Sequence, residues 1–225
     1  MSRVVTVLLV IACLPRGTPS QEIVSFTTSD GGIVYADSYG QGDHGVVLAH
    51  GGRFTKESWT EQARILADAG FRVLAIDFRG RGRSRGGPAV DADEFVHLDV
   101  LAAVRYLRRT GAEAVSVVGA SFGGGAAARA AIEAERGEID RIVLLAHSSI
   151  DNPERIVARK LFIVAREDTT GSGALRLPDI RRQYELAPDP KELVILDGAA
   201  HAQFIFETEH GERLMHEILR FLSAS

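Results

Sequence analysis

Apolar residues fall into two alternating patterns along the chain. Short stretches are apolar almost throughout: Gly45–Ala49, Phe71–Asp77, Ala114–Val118, Asp140–Ala146, Lys160–Ala165 and Lys191–Leu196. Continuous apolar character over five to seven residues is what a strand buried on both faces requires. Between these runs lie longer segments with helical spacing. Lys56–Ala69 is closed by Gly70, and Asp91–Thr110 carries Phe95, Leu98, Leu101, Ala102 and Leu107 and is closed by Gly111. Asp179–Ala187 reads as a short helix and Ala202–Leu222 as one long amphipathic helix. A glycine just past a periodic segment ends a helix because it enters the left-handed region without steric cost. Near the start, Glu22–Thr28 and Ile33–Tyr39 flank Ser29-Asp30-Gly31-Gly32, a hairpin signal. Strands alternating with helices predict an α/β protein: a mostly parallel eight-stranded sheet covered by helices on both faces. Ligands of such sheets bind beyond the carboxyl ends of the strands. The residues that immediately follow strands are therefore the candidates for chemistry.

One such junction is Gly119-Ala120-Ser121-Phe122-Gly123, set between the strand Ala114–Val118 and the small-residue run Gly124–Ala131, which reads as the start of a helix. A chain that turns sharply from strand to helix while pushing one side chain outward leaves room only for glycine on either side. The serine hydroxyl then sits at a helix N-terminus, where backbone N–H groups and the helix dipole favour negative charge. The bland reading of the pentapeptide is a glycine-rich turn with an idle serine; the rest of the chain supplies the context.

Four further segments follow predicted strands. They are His50-Gly51-Gly52, Asp77-Phe78-Arg79-Gly80-Arg81-Gly82-Arg83-Ser84, Ala165-Arg166-Glu167-Asp168 and Gly198-Ala199-Ala200-His201. With the serine turn, and in this order, they resemble the α/β-hydrolase family over roughly residues 22–222. The compact layout is similar to dienelactone hydrolases, although serine stands where those enzymes carry cysteine. Serine in place of aspartate separates the chain from relatives with dehalogenase or epoxide-hydrolase chemistry. The resemblance implies a catalytic triad in the chain order Ser121, Asp168, His201. Ser121 would be the nucleophile. His201 would be the base that activates it, because histidine as a residue type accepts and returns a proton near neutral pH. Asp168 would orient and stabilise the imidazole, with Asp151 as the alternative acid. Phe122 and Gly52 would supply the backbone N–H groups of an oxyanion hole, with Arg53 as the alternative to Gly52. His50 reads as structural. Arg53 and His147 are candidates for lining the pocket. The arginines at 79, 81, 83 and 85 read as a solvated loop braced by Arg79 rather than an anion site.

Related proteins often insert a cap domain after the sixth strand. Here only Asp151–Arg159 separates Ile150 from the next strand, too few residues for a cap. Ser121 is therefore expected in a shallow, solvent-reachable cleft. The expected function is a serine hydrolase acting on a small-molecule carboxylic ester or thioester through an acyl-enzyme. The alternatives are a non-catalytic binding protein or surface lipoprotein on the same scaffold, or a peptidase.

Composition bounds the rest. The 225 residues are 45% hydrophobic and 25% charged, ordinary for a globular chain. A net charge of −4 provides no basic field for nucleic acid. No H-E-x-x-H or cysteine–histidine cluster is present, so no metal and no cofactor is expected. Residues 1–20 read as a leader, and 21–225 as a single hydrolase domain. Arg3 precedes the apolar run Val4–Ala12, too short to span a bilayer, and Pro15, Gly17 and Pro19 follow. This predicts export to the periplasm or exterior, with membrane attachment only through lipidation of Cys13. A cytoplasmic protein with a mis-assigned start is the alternative. Cys13 is the sole cysteine, so the body of the chain has no thiol for a disulfide or nucleophile.

Overall fold

A computed structural model describes residues 21–87 and 93–224; the predicted leader, Cys13 and the predicted start of the second helix at Asp91 lie outside them. Eight strands form one sheet: β1 (Glu22–Thr27), β2 (Ile33–Tyr39), β3 (His44–Ala49), β4 (Arg72–Ile76), β5 (Ala114–Ala120), β6 (Arg141–Leu145), β7 (Arg159–Ala165) and β8 (Lys191–Leu196). Their order is β1-β2-β4-β3-β5-β6-β7-β8. The β1–β2 and β2–β4 pairings are antiparallel, and every other pairing is parallel. The central strands are apolar on both faces because both faces are covered. Successive residues divide between two cores in the two-residue rhythm of a strand. Val47, Ala49, Val115 and Val117 face the layer of α2 (Val96–Arg109), α3 (Phe122–Glu133) and α4 (Leu177–Leu186). Val46, Leu48, Val118 and Ala120 face α1 (Thr60–Asp68) and α5 (Gly211–Ser223). No helix of the described residues is long and apolar enough to cross a membrane.

Two predicted helices change shape. Lys56–Trp59, the first turn of the predicted Lys56–Ala69 helix, is a 3-10 turn, and α1 begins only at Thr60. The predicted Ala202–Leu222 helix is broken into a 3-10 segment over Ala202–Glu207 and α5 from Gly211. Thr208 makes the break. Its hydroxyl donates to the Ile205 carbonyl (2.7 Å) and accepts the His210 N–H (3.2 Å), offering the backbone an alternative to helix. Gly211 then passes so near Phe206 that a Cβ would lie 2.4 Å from its carbonyl oxygen. Periodicity had merged two apolar stretches that pack through a corner.

Arg79 braces the loop after β4, as expected from the sequence. It is buried, with Nη1 donating to Asp30 (2.7 Å) and Nη2 to Asp99 (2.8 Å). The Asp99 carboxylate also accepts the Arg79 N–H. The guanidinium holds Asp30 down to a pKa of about 2. Arg83 lies over the Tyr35 ring. The loop thus packs against the β1–β2 turn, β2 and α2.

Candidate active site

The β5–α3 junction is strained and tightly fitted. Ser121 has φ 51° and ψ −115°, unfavourable for a non-glycine residue. Such a conformation costs on the order of 1–3 kcal/mol and persists only where its surroundings impose it. Here they do. Ser121 N–H donates to the Leu145 carbonyl (2.8 Å), and the Ser121 carbonyl accepts the N–H groups of Gly124, Gly125 and Ser148. A Cβ at Gly119 would lie 2.4 Å from the Gly123 carbonyl oxygen, and one at Gly123 2.4 Å from that of Ala49. Both glycines are required by close backbone approach.

The turn aims Ser121 Oγ at His201. Oγ and His201 Nε2 are 2.8 Å apart, and His201 Nδ1 lies 2.7 Å from Asp168 Oδ2. The Asp168 side chain is 1% exposed and that of His201 28%. A buried carboxylate accepts at Nδ1, so Nδ1 carries the ring proton and Nε2 presents its lone pair to the hydroxyl. Three loops, after β5, β7 and β8, deliver these side chains to one point. Glu167 and Asp151 are exposed and neither contacts His201; the structure brings Asp168 alone of the three acids to the imidazole.

The loop after β3 lies against the turn. A Cβ at Gly52 would stand 3.6 Å from Phe122 Cβ, so Gly52 and the first residue of α3 are neighbours. Gly51 is excluded as an anion donor because its N–H is held by Gln203 Oε1 at 2.7 Å. Gln203 Nε2 donates in turn to Ser58 Oγ (2.8 Å), tying the segment after His201 to the glycine loop. Nothing in the sequence signalled Gln203; its two partners lie 152 and 145 residues away. His50 is buried against Phe78, and burial lowers its pKa. Its Nδ1–H donates to the Gly51 carbonyl and its Nε2 accepts the Phe78 N–H, a bracing role. Arg53 is exposed. Beside Phe122 a hollow of about 190 Å3 is lined by Val96, His97, Phe122, Gly125, Ala126 and Ser148.

His147 does not line the pocket and corrects that expectation. It is 2% exposed, edge-on to Phe162 (5.4 Å between centroids), with Nε2 on Gln183 Oε1 at 3.2 Å. Close packing forces it inward: a Cβ at Gly124 would be 2.6 Å from His147 Cβ. Ser148, one residue on, reaches the hollow instead. Burial pushes the His147 imidazole down to about 4. The unfolded imidazole takes up its proton near ~6.5, so between these values the unfolded state binds more protons. Stability should therefore fall as pH drops from about 6.5 toward 4, by on the order of 3 kcal/mol over the window. In urea unfolding at pH 7 and pH 5, His147→Asn is expected to lose about 1–2 kcal/mol less than the parent between the two.

Among the described residues no group of three or more His, Cys, Asp or Glu side chains could hold a metal ion. The family model for the alpha/beta hydrolase fold matches residues 46–174, more than half the chain. The chain belongs to the α/β-hydrolase family. Within that family it is 34% identical over 120 residues to a non-heme haloperoxidase of Rhodococcus erythropolis, covering 53% of this chain and 42% of the relative. It is 37% identical over 101 residues to a bifunctional esterase/perhydrolase of Acinetobacter calcoaceticus, covering 44% of this chain and 35% of that one. The matched stretches thus span well under half the length of these relatives. An esterase of Pyrococcus furiosus superposes with a TM-score of 0.76 at 21% identity, over 91% of this chain and 92% of that one. A dienelactone hydrolase of Anabaena variabilis superposes with a TM-score of 0.72 at 21% identity, over 91% and 97%. Both share the fold.

Proposed function

We propose that the protein is a serine hydrolase that cleaves small-molecule carboxylic esters or thioesters through an acyl-enzyme. The observation that carries this reading is the unbroken relay from Ser121 Oγ to His201 to buried Asp168, at 2.8 and 2.7 Å. A serine hydroxyl is a weak nucleophile until a base removes its proton. His201 Nε2 accepts that proton as Oγ attacks the carbonyl carbon, and Asp168 stabilises the imidazolium. The charge on the former carbonyl oxygen meets the N–H groups of Phe122 and Gly52; each such donor lowers the barrier by ~2.7–4 kcal/mol. Collapse expels the alkoxide or thiolate, which takes the proton from His201. Water, deprotonated by the same imidazole, then attacks the acyl-enzyme and releases the acid. The short segment between β6 and β7 and the half-buried position of Ser121 suit short-to-medium acyl groups.

The test is hydrolysis of p-nitrophenyl acetate, butyrate and octanoate by the parent and by Ser121→Ala. The proposal expects Ser121-dependent turnover, strongest on the two shorter esters. Equal turnover by both proteins would show that the nucleophile lies elsewhere; none on any ester or on the matching thioesters would favour a binding role. The haloperoxidase and perhydrolase relatives favour a second reading, in which hydrogen peroxide replaces water in attacking the acyl-enzyme and releases a peroxy acid. Adding peroxide to the same assay separates the two products.

Gln203 holds Gly51 and through it the loop that carries Gly52. Gln203→Leu leaves the Gly51 N–H buried without an acceptor, which costs about 1–3 kcal/mol of stability. It is also expected to lower kcat about tenfold with little change in KM, because a loosened donor affects the transition state and not substrate binding. Gln203→Glu keeps the acceptor and should recover most of the loss. Steady-state kinetics with a melting curve on each variant checks both effects.

A further inference from the structure

The loop after β7 folds back onto Asp168 through its backbone and through a side chain. Arg176 N–H donates to the Asp168 carbonyl (2.9 Å), and Thr169 bridges to Leu175 within the loop. Arg176 directly precedes α4, and its own carbonyl accepts the Ile180 N–H at 3.0 Å. Its position is thus fixed by main-chain bonds at both ends. From that position its Nε lies 3.5 Å from Asp168 Oδ1. This is the carboxylate oxygen that His201, bonded to Oδ2, leaves uncovered. Asp168 Oδ1 and Arg176 Nε are both buried, and neither has a hydrogen-bond partner. A buried carboxylate oxygen without a donor is costly unless a cation faces it. Among the described residues, Arg176 is the ion-pair partner of Asp168 other than His201.

Other charged groups around the pair are engaged elsewhere or face water. Arg166 pairs with Asp197 (3.2 Å), and Asp179 with Arg182 (2.7 Å) and the amide of Gln183 (2.6 Å). Glu167 is exposed, and His147 lies buried against Gln183 and Phe162.

We propose that Arg176 is a positioning residue for the relay: its guanidinium holds Oδ1 of Asp168 so that Oδ2 stays aimed at His201. The proposal rests on the reading of Ser121, His201 and Asp168 as the catalytic relay. A fixed cation at ion-pair distance attracts the carboxylate and resists its rotation. Without it, Oδ2 is no longer held toward His201 Nδ1, and the imidazolium that forms in the transition state is less well stabilised.

The experiment measures kcat and KM on p-nitrophenyl butyrate at one fixed pH for the parent, Arg176→Gln, Arg176→Lys and Ser121→Ala, with a melting curve for each. The main-chain bonds of Arg176 survive any of its substitutions. Arg176→Met, which keeps an apolar stem, replaces the glutamine variant if that one does not fold. The expected result for the neutral variants is a kcat about tenfold lower with a KM within about twofold. Arg176→Lys keeps the charge and should recover most of the lost kcat. Neutral variants with the parent's kcat, or a lysine variant as slow as the glutamine one, would overturn the role of Arg176. If Ser121→Ala is inactive in that case, the relay itself still stands. An active Ser121→Ala would remove the relay, and this proposal with it.

Discussion

Ser121→Ala is expected to lower kcat/KM for ester hydrolysis by about 10^4–10^6-fold while the fold survives. The attacking atom is gone, and no neighbour replaces it. The hydroxyl's recorded contact is the one to His201, and the strained main chain of Ser121 is held by the backbone bonds to Leu145, Gly124, Gly125 and Ser148. Alanine adopts φ 51° at a cost similar to serine, so the melting temperature should change by no more than a few degrees. Residual activity near the background rate, from the oxyanion donors alone, agrees with this account. Activity within tenfold of the parent, in protein with an unchanged melting curve, would show that the nucleophile lies elsewhere.

Gly123→Ala should be the most damaging single methyl addition at the site. The new Cβ would stand 2.4 Å from the Ala49 carbonyl oxygen and 2.5 Å from that of His50. Both are backbone atoms at the end of β3, which is paired on either side by β4 and β5. Neither can rotate away, so α3 must shift outward. That shift separates Phe122 from Gly52 as well as opening the core. Overpacking of this kind costs about 3 kcal/mol. Activity should fall further than the unfolded fraction explains, because the two oxyanion donors move apart. Gly171→Ala is the control: nothing lies within 4 Å of its Cβ position, and stability should change by less than ~0.5 kcal/mol. Urea unfolding of the two variants measures the contrast. Equal stability would mean that α3 can move freely against β3.

The sheet was legible because its signal is local. Runs such as Val46-Val47-Leu48-Ala49 are apolar on both sides, and only a doubly covered strand accounts for that. The meeting of Ser121, Asp168 and His201 was legible by a different route: each follows a strand, and parallel strands bring their ends to one edge. Less was legible where the outcome depends on packing between distant segments. The break at Thr208 hinges on a hydroxyl competing with the helix, and the apolar spacing on either side concealed it. His147 follows β6 just as site residues follow their strands. Which way it faces is decided by the bare Gly124 below it and by Gln183 from another element. Gln203 and Arg176 stand near the triad, yet their contacts to the Gly51 N–H and to Asp168 Oδ1 are tertiary and leave no mark on residue type or spacing.

The central claim is that Ser121 is an activated nucleophile. Its most direct test is reaction with a fluorophosphonate followed by peptide mass mapping. The account predicts one adduct, on the peptide carrying Ser121, formed in the parent and absent from Ser121→Ala. It should form far more slowly in His201→Ala, where the base is missing. A parent that hydrolyses esters yet carries no adduct at Ser121, or that is labelled equally well without His201, would contradict it.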